Sequence, residues 1–255
     1  MRIGICTTLA KAPLAVDAGF DYVELSVSEM MAREPWDSSV YAGLPIEACN
    51  LFFPGGVKLF PEDSAEQFDA MPYIFEARKR LSEVGVAIGV VGSGNQRRCP
   101  PNMDSANAER KLAFWLFEGM VAEGKTLFAP ESLERSESNV GTDCASFSRN
   151  LKEFRVGYTA DAYHLLKEWD ANGREGGLSV PSKAFWEDQM PHAPLHLHLA
   201  QLEGRRYPSV DDPMLLGFFA RLRELGYDAR VSLECHGLEV GDYKSAMANV
   251  RSYIG

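Results

Sequence analysis

The stretch Gly157-Tyr158-Thr159-Ala160-Asp161-Ala162-Tyr163-His164-Leu165-Leu166 decides the fold. It reads as a strand end that runs directly into a helix, with Asp161 and His164 three residues apart at the junction. Taken alone, Asp161 is equally well explained as a side-chain cap for that helix. Its meaning changes because other short apolar runs in the chain also end in Glu, Asn or His.

Working outward, residues 2–6, 22–25, 46–53, 86–91, 126–129, 154–159, 195–199 and 230–234 form eight short apolar runs with the character of buried strands. Helical patterns at 14–18, 65–84, 107–123, 162–169, 214–225 and 243–253 separate them, with shorter ones at 147–154 and 181–189. Gly19, Gly85 and Gly226 stand where helices end. Neither GxGxxG nor GxxxxGK[ST] is present, so the pattern offers no dinucleotide or P-loop signature. Eight βα units in 255 residues predict an α/β fold, a closed (β/α)8 TIM barrel with residues 1–255 as one domain.

The formal net charge of −10 argues against a nucleic-acid partner, which demands a concentrated positive surface. It leaves room for a phosphorylated substrate held by a few arginines. Five dispersed cysteines without a CxxC pair read as reduced, buried thiols. With no signal-like opening and no apolar run of roughly 18 residues, the expectation is a soluble, cytoplasmic protein without membrane association.

Barrels of this kind carry their chemistry at the C-terminal strand ends. The residues expected there are Glu24, Asn50, Ser93, Glu131, Asp161, His198 and Glu234. Four of these are strong metal ligands on consecutive strands: Glu131, Asp161, His198 and Glu234. Three carboxylates and one imidazole suit Mn²⁺ first, with Mg²⁺, Co²⁺ or Zn²⁺ as alternatives. His196 and His198 share one strand, and the expectation is that one faces the barrel and the other faces away.

The chain resembles the xylose-isomerase-like superfamily of sugar isomerases and epimerases. The resemblance rests on the opening Arg2-Ile3-Gly4-Ile5, on Ala18-Gly19-Phe20-Asp21-Tyr22-Val23-Glu24-Leu25, and on the four strand ends. Locally, Glu131-Ser132-Leu133-Glu134-Arg135-Ser136-Glu137 is similar to the E-x-L-N-R-x-E segment of the ketose 3-epimerases, with Glu134 in place of Asn. The resemblance implies Glu131 as both metal ligand and catalytic base, and Glu234 as the last ligand and second catalytic carboxylate. It implies His164, of a D-x-x-H pair with Asp161, as a donor to substrate oxygen, and Glu137 as a substrate contact. Arg205 or Arg206 corresponds to the substrate-binding arginine, and spacing leaves that choice open. Glu24 and Asn50 join the expected substrate wall, together with Cys6, Phe52, Phe53, Trp115 and the 93–98 loop. Arg97 and Arg98 read as solvated.

The implied activity is metal-dependent proton transfer next to a carbonyl, in an isomerase or epimerase acting on a small sugar, sugar phosphate or cyclitol. Two alternatives share the same residues: an inosose-type dehydratase and a non-catalytic sugar-binding protein with a degenerate site. The apurinic-site endonucleases of this superfamily need extra histidines, where this chain has Asn50 and Gly92. Apolar residues crowd 112–117, which fits both a homo-oligomer and simple burial.

Overall fold

The computed structural model describes residues 1–254. Eight strands form one parallel sheet: β1 (Arg2–Cys6), β2 (Tyr22–Ser26), β3 (Ile46–Asn50), β4 (Ile88–Val91), β5 (Leu127–Pro130), β6 (Thr159–Asp161), β7 (His196–Leu199) and β8 (Arg230–Leu233). Their order is β5-β4-β3-β2-β1-β8-β7-β6. A parallel bridge from Glu131 to Thr159 joins the two ends, and Thr159 Oγ1 donates to Ala129 O at 3.0 Å. The sheet is therefore a nearly closed barrel, and its seam lies at a candidate site residue.

A main helix follows each strand: α1 (Ala12–Ala18), α2 (Val27–Met31), α3 (Ala70–Val84), α4 (Ser105–Val121), α5 (Cys144–Glu153), α6 (Ala162–Ala171), α7 (Pro213–Glu224) and α8 (Tyr243–Ile254), with short extra helices at Gly94–Arg97 after β4 and at Arg174–Gly177 and Lys183–Gln189 before β7. This is a single-domain (β/α)8 barrel. Among the described residues, no helix is long and apolar enough to cross a membrane.

The period of two along each strand separates two interiors. Ile3, Ile5, Val23, Leu25, Leu197, Leu199, Val231 and Leu233 join the large core shared with the helices. The alternate positions turn inward, where Tyr22, Ala48, Ile88, Val90 and Ala129 form a second apolar cluster. Gly4 pairs with Tyr22 in the β1–β2 register, and a Cβ at Gly4 would stand 2.3 Å from the Tyr22 ring. A glycine is thus what lets a tyrosine lie across the barrel.

Several expected boundaries shift. The sixth strand is Thr159–Asp161 rather than 154–159, because Phe154 caps α5 and Arg155 turns the chain at φ 57°. The third strand stops at Asn50, because Leu51 takes φ 47°; Phe52 and Phe53 then turn into the helix-side core. The third long helix begins at Ala70, behind Asp69, rather than at residue 65. A short helix, α2, directly follows β2, and Ser26 Oγ caps it by accepting from Glu29 N at 3.1 Å.

The expectation for His196 and His198 is corrected. Residues two apart on a strand point to the same side. Both rings are fully buried inside the barrel, with centroids 5.2 Å apart.

Candidate active site

Asp161 ends β6 and begins α6, and its two oxygens divide the work. Oδ1 accepts from Tyr163 N at 2.7 Å, which caps the helix. Oδ2 faces His164 Nε2 at 3.5 Å and Arg205 at 3.3 Å. The capping reading and the site reading both hold, one oxygen each.

Ligand atoms of Glu131, Asp161, His198 and Glu234 all lie within 4.8 Å of one another. The structure brings the whole expected ligand set together from the ends of β5, β6, β7 and β8. Glu131 Oε1 accepts from His198 Nδ1 at 2.8 Å, and Glu234 Oε2 lies 3.3 Å from the same nitrogen. Glu131 Oε2 occupies the space that a Cβ on Gly92 would need, at 2.7 Å. Gly92 thus shapes the seat of one carboxylate.

Glu24 is corrected. It lines no substrate wall, being completely buried with both oxygens engaged. Oε1 accepts from His198 Nε2 and Oε2 from His196 Nε2, each at 2.9 Å. Ser232 Oγ lies 3.3 Å from His196 Nε2 and 2.8 Å from Tyr22 Oη. A polar chain thus runs from Tyr22 through Ser232, His196 and Glu24 to His198. Sequence reasoning missed Tyr22 and Ser232; their signal was the inward strand parity they share with Glu24 and His198.

Charge in this dry site moves the ionisable groups. Burial works against an ionised Glu24, but the two histidines outweigh it and hold its carboxyl well below the usual range. Burial would lower the His198 pKa, yet Glu24, Glu234 and Glu131 together carry it well above its ordinary value. His196 goes the other way, lowered mainly by burial. Burial raises Glu131, whereas Glu234, opposed by burial, is drawn down to about 2 by His198 and Arg205.

The donor set fits a divalent cation. With Nε2–H committed to Glu24, His198 turns Nδ1 toward Glu131 and Glu234, and a cation replacing the proton on Nδ1 would meet acceptors from all of them. A positive charge among them is what the geometry asks for. A carboxylate behind the imidazole is also the usual support for a metal-bound histidine.

Of the two arginines, Arg205 is the one that enters the carboxylate cluster. Its guanidinium reaches Glu234, Asp161 at 3.3 Å and Glu137 at 3.7 Å, and it lies 4.8 Å over the Tyr163 ring. It does so from a left-handed backbone, φ 50°. Arg206 is exposed and borders a separate surface hollow with Tyr207 and His236, away from the cluster. Asn50 Nδ2 donates to Glu234 Oε1 at 3.1 Å. His164 and Glu137 border the cleft over the cluster, as does Asn50.

Other expectations fail here. Arg97 is fully buried: it donates to Val91 O at 3.2 Å and Glu131 O at 2.6 Å, with its guanidinium 5.5 Å over the Phe147 ring. It fixes the backbone of the seam, and burial lowers its pKa to about 10. Arg98 is exposed as expected and donates to Ser136 O. Phe52, Phe53 and Trp115 belong to the core; Trp115 stacks on Phe60 at 5.5 Å.

No protein-family model matches this chain, and no curated protein matches it by sequence. Solved structures do. They share the (β/α)8 barrel fold of this chain. The apo 3-keto-D-glucoside 4-epimerase of E. coli is 18% identical, with 99% of each chain covered and a TM-score of 0.70. D-psicose 3-epimerase of Clostridium cellulolyticum H10, solved with D-tagatose, is 16% identical; the match covers 100% of this chain and 91% of that one, with a TM-score of 0.72. A xylose isomerase domain protein of Alicyclobacillus acidocaldarius is 15% identical over 99% of this chain and 98% of that one, with a TM-score of 0.68. At these identities the likeness establishes the fold.

Proposed function

We propose that this protein is a divalent-metal-dependent sugar epimerase or isomerase that moves a proton at the carbon next to a carbonyl. The observation that carries the reading is the convergence of Glu131, Asp161, His198 and Glu234 within 4.8 Å, at the strand ends of a barrel shared with sugar epimerases. Three carboxylates and one imidazole favour Mn²⁺. When bound, the ion supplies positive charge that stabilises the enediolate.

The chain's own groups do the rest. Glu131 and Glu234 take and return the proton, and the face of the substrate that each meets decides the outcome. Two carboxylates acting on opposite faces give epimerisation, which their placement on β5 and β8 supports. Arg205 and His164 donate to the oxygen that gains charge, and Glu137 and Asn50 hold hydroxyls. Glu24 keeps the imidazole of His198 turned the right way.

The test is exchange of solvent deuterium into C4–C6 ketoses and their phosphates, with Mn²⁺ present. The reading expects exchange at the carbon beside the carbonyl and its loss in Glu131→Gln. A dehydrated keto product would instead support the dehydratase chemistry.

A further inference from the structure

The cleft over the metal-ligand cluster has two lobes. The inner one, about 230 Å³, is bordered by Glu131, Glu137, His164 and Arg205. The outer one, about 330 Å³, opens beside the ends of β1 and β2 and is bordered by Thr7, Thr8, Lys11, Ser26 and Glu29. Asn50, Leu51 and Glu234 border both, so the lobes meet across the Asn50–Glu234 hydrogen bond.

Pockets that bury compact organic ligands span ~300–1,000 Å³. The inner lobe falls below that range and already contains the reacting set. The outer lobe is larger, and the proton-transfer step does not use it. At the seam, Leu51 holds a left-handed backbone, φ 47°, with 56% of its surface exposed. A leucine in that conformation is strained. It presents an apolar edge where the two lobes meet, and Ile5, Leu238 and Tyr243 add apolar surface to the outer one, as the C–H face of a sugar ring requires.

Resting on the reading above, we infer that the substrate is a glycosylated keto-sugar. Its keto unit lies in the inner lobe, and a second, neutral sugar ring lies in the outer lobe. Charge decides for a neutral ring against a phosphate. Lys11 is the one cation bordering the outer lobe, and it is half-buried and paired with Glu239 at 3.3 Å. Glu29 and Glu234 add negative charge. A phosphate dianion would be repelled there, whereas hydroxyls find the donors and acceptors of Thr7, Thr8, Ser26 and Asn50. The other arginines nearby are committed elsewhere: Arg97 to the seam, Arg98 to Ser136, Arg206 to a different hollow.

The experiment compares kcat/KM and deuterium exchange for ketohexoses, their phosphates, ketoses carrying a glucosyl group, and keto-glucosides, all with Mn²⁺. The glycosylated compounds are expected to show KM values at least tenfold lower. Thr8→Trp, which adds bulk from an exposed loop position, is expected to lower the ratio of kcat/KM for glycosylated over bare sugars at least tenfold, through KM rather than kcat. Thr8→Ala, which removes a hydroxyl partner and adds no bulk, is expected to move the same ratio in the same direction. Preference for bare or phosphorylated ketoses overturns this substrate class and leaves the proton-transfer reading standing. An equal effect of both variants on all substrates overturns it in the same way. No exchange with any compound overturns both.

Discussion

His198 and Glu24 are joined through Nε2 and Oε1 at 2.9 Å in the dry interior of the barrel, and that bond sets which imidazole nitrogen faces the other carboxylates. Glu24→Gln replaces a carboxylate that accepts from two histidines with an amide that offers one acceptor and a donor. One histidine must then change its tautomer. Affinity for Mn²⁺, measured by calorimetry, is expected to fall about 10–100-fold. An unchanged affinity would show that Glu24 does not orient His198.

Gly92→Ala tests the seat of Glu131. The added methyl takes the place of Glu131 Oε2, the free end of a flexible side chain, so the carboxylate yields and the backbone stays. Turnover is expected to fall ~100-fold, as for a catalytic group displaced by about an ångström. The melting temperature should stay close to that of the parent. A large loss of stability with normal specific activity in the folded fraction would point to a packing role instead.

Asp161 separates capping from metal binding. Asp161→Asn keeps an oxygen for Tyr163 N and should leave stability nearly unchanged while Mn²⁺ binding is lost. Asp161→Ala should lose Mn²⁺ binding too, and a further ~1 kcal/mol of stability in urea titrations, the usual worth of a helix cap. Equal stability in the two variants would contradict the cap; retained Mn²⁺ binding in either would contradict the ligand role.

Strand-end chemistry was legible in the sequence because period and composition place the strands, and a barrel turns strand ends toward one mouth. The four ligand-type residues followed from that alone. Side-chain direction was harder. Glu24 ends an apolar run much as Glu131 follows one, yet it sits with its carboxylate turned inward between two histidines. Arg97 looked solvated beside Arg98 because its partners, the carbonyls of Val91 and Glu131, belong to other strands. Arg205 and Arg206 part because Arg205 takes a left-handed backbone and Arg206 an extended one, and a left-handed φ at a non-glycine residue leaves no mark in sequence.

Arg97→Met tests the seam. It removes two charge-assisted hydrogen bonds to buried carbonyls, one of them at Glu131. A loss of about 3 kcal/mol in unfolding free energy is expected, together with weaker Mn²⁺ binding because the Glu131 backbone is released. Stability within 0.5 kcal/mol of the parent, roughly the size of a neutral surface change, would mean that the guanidinium does not hold the closure.

The central claim is that this site moves a proton next to a carbonyl only when a divalent ion is held by Glu131, Asp161, His198 and Glu234. The most direct measurement follows solvent deuterium entering a keto-sugar substrate by NMR, before chelation, after chelation, and after Mn²⁺ is restored. Exchange should stop on chelation and return with Mn²⁺, and the Glu131→Gln protein should fall about 10²–10⁴-fold below the parent. Exchange that persists at full rate in the chelated protein, or in Glu131→Gln, would contradict the account.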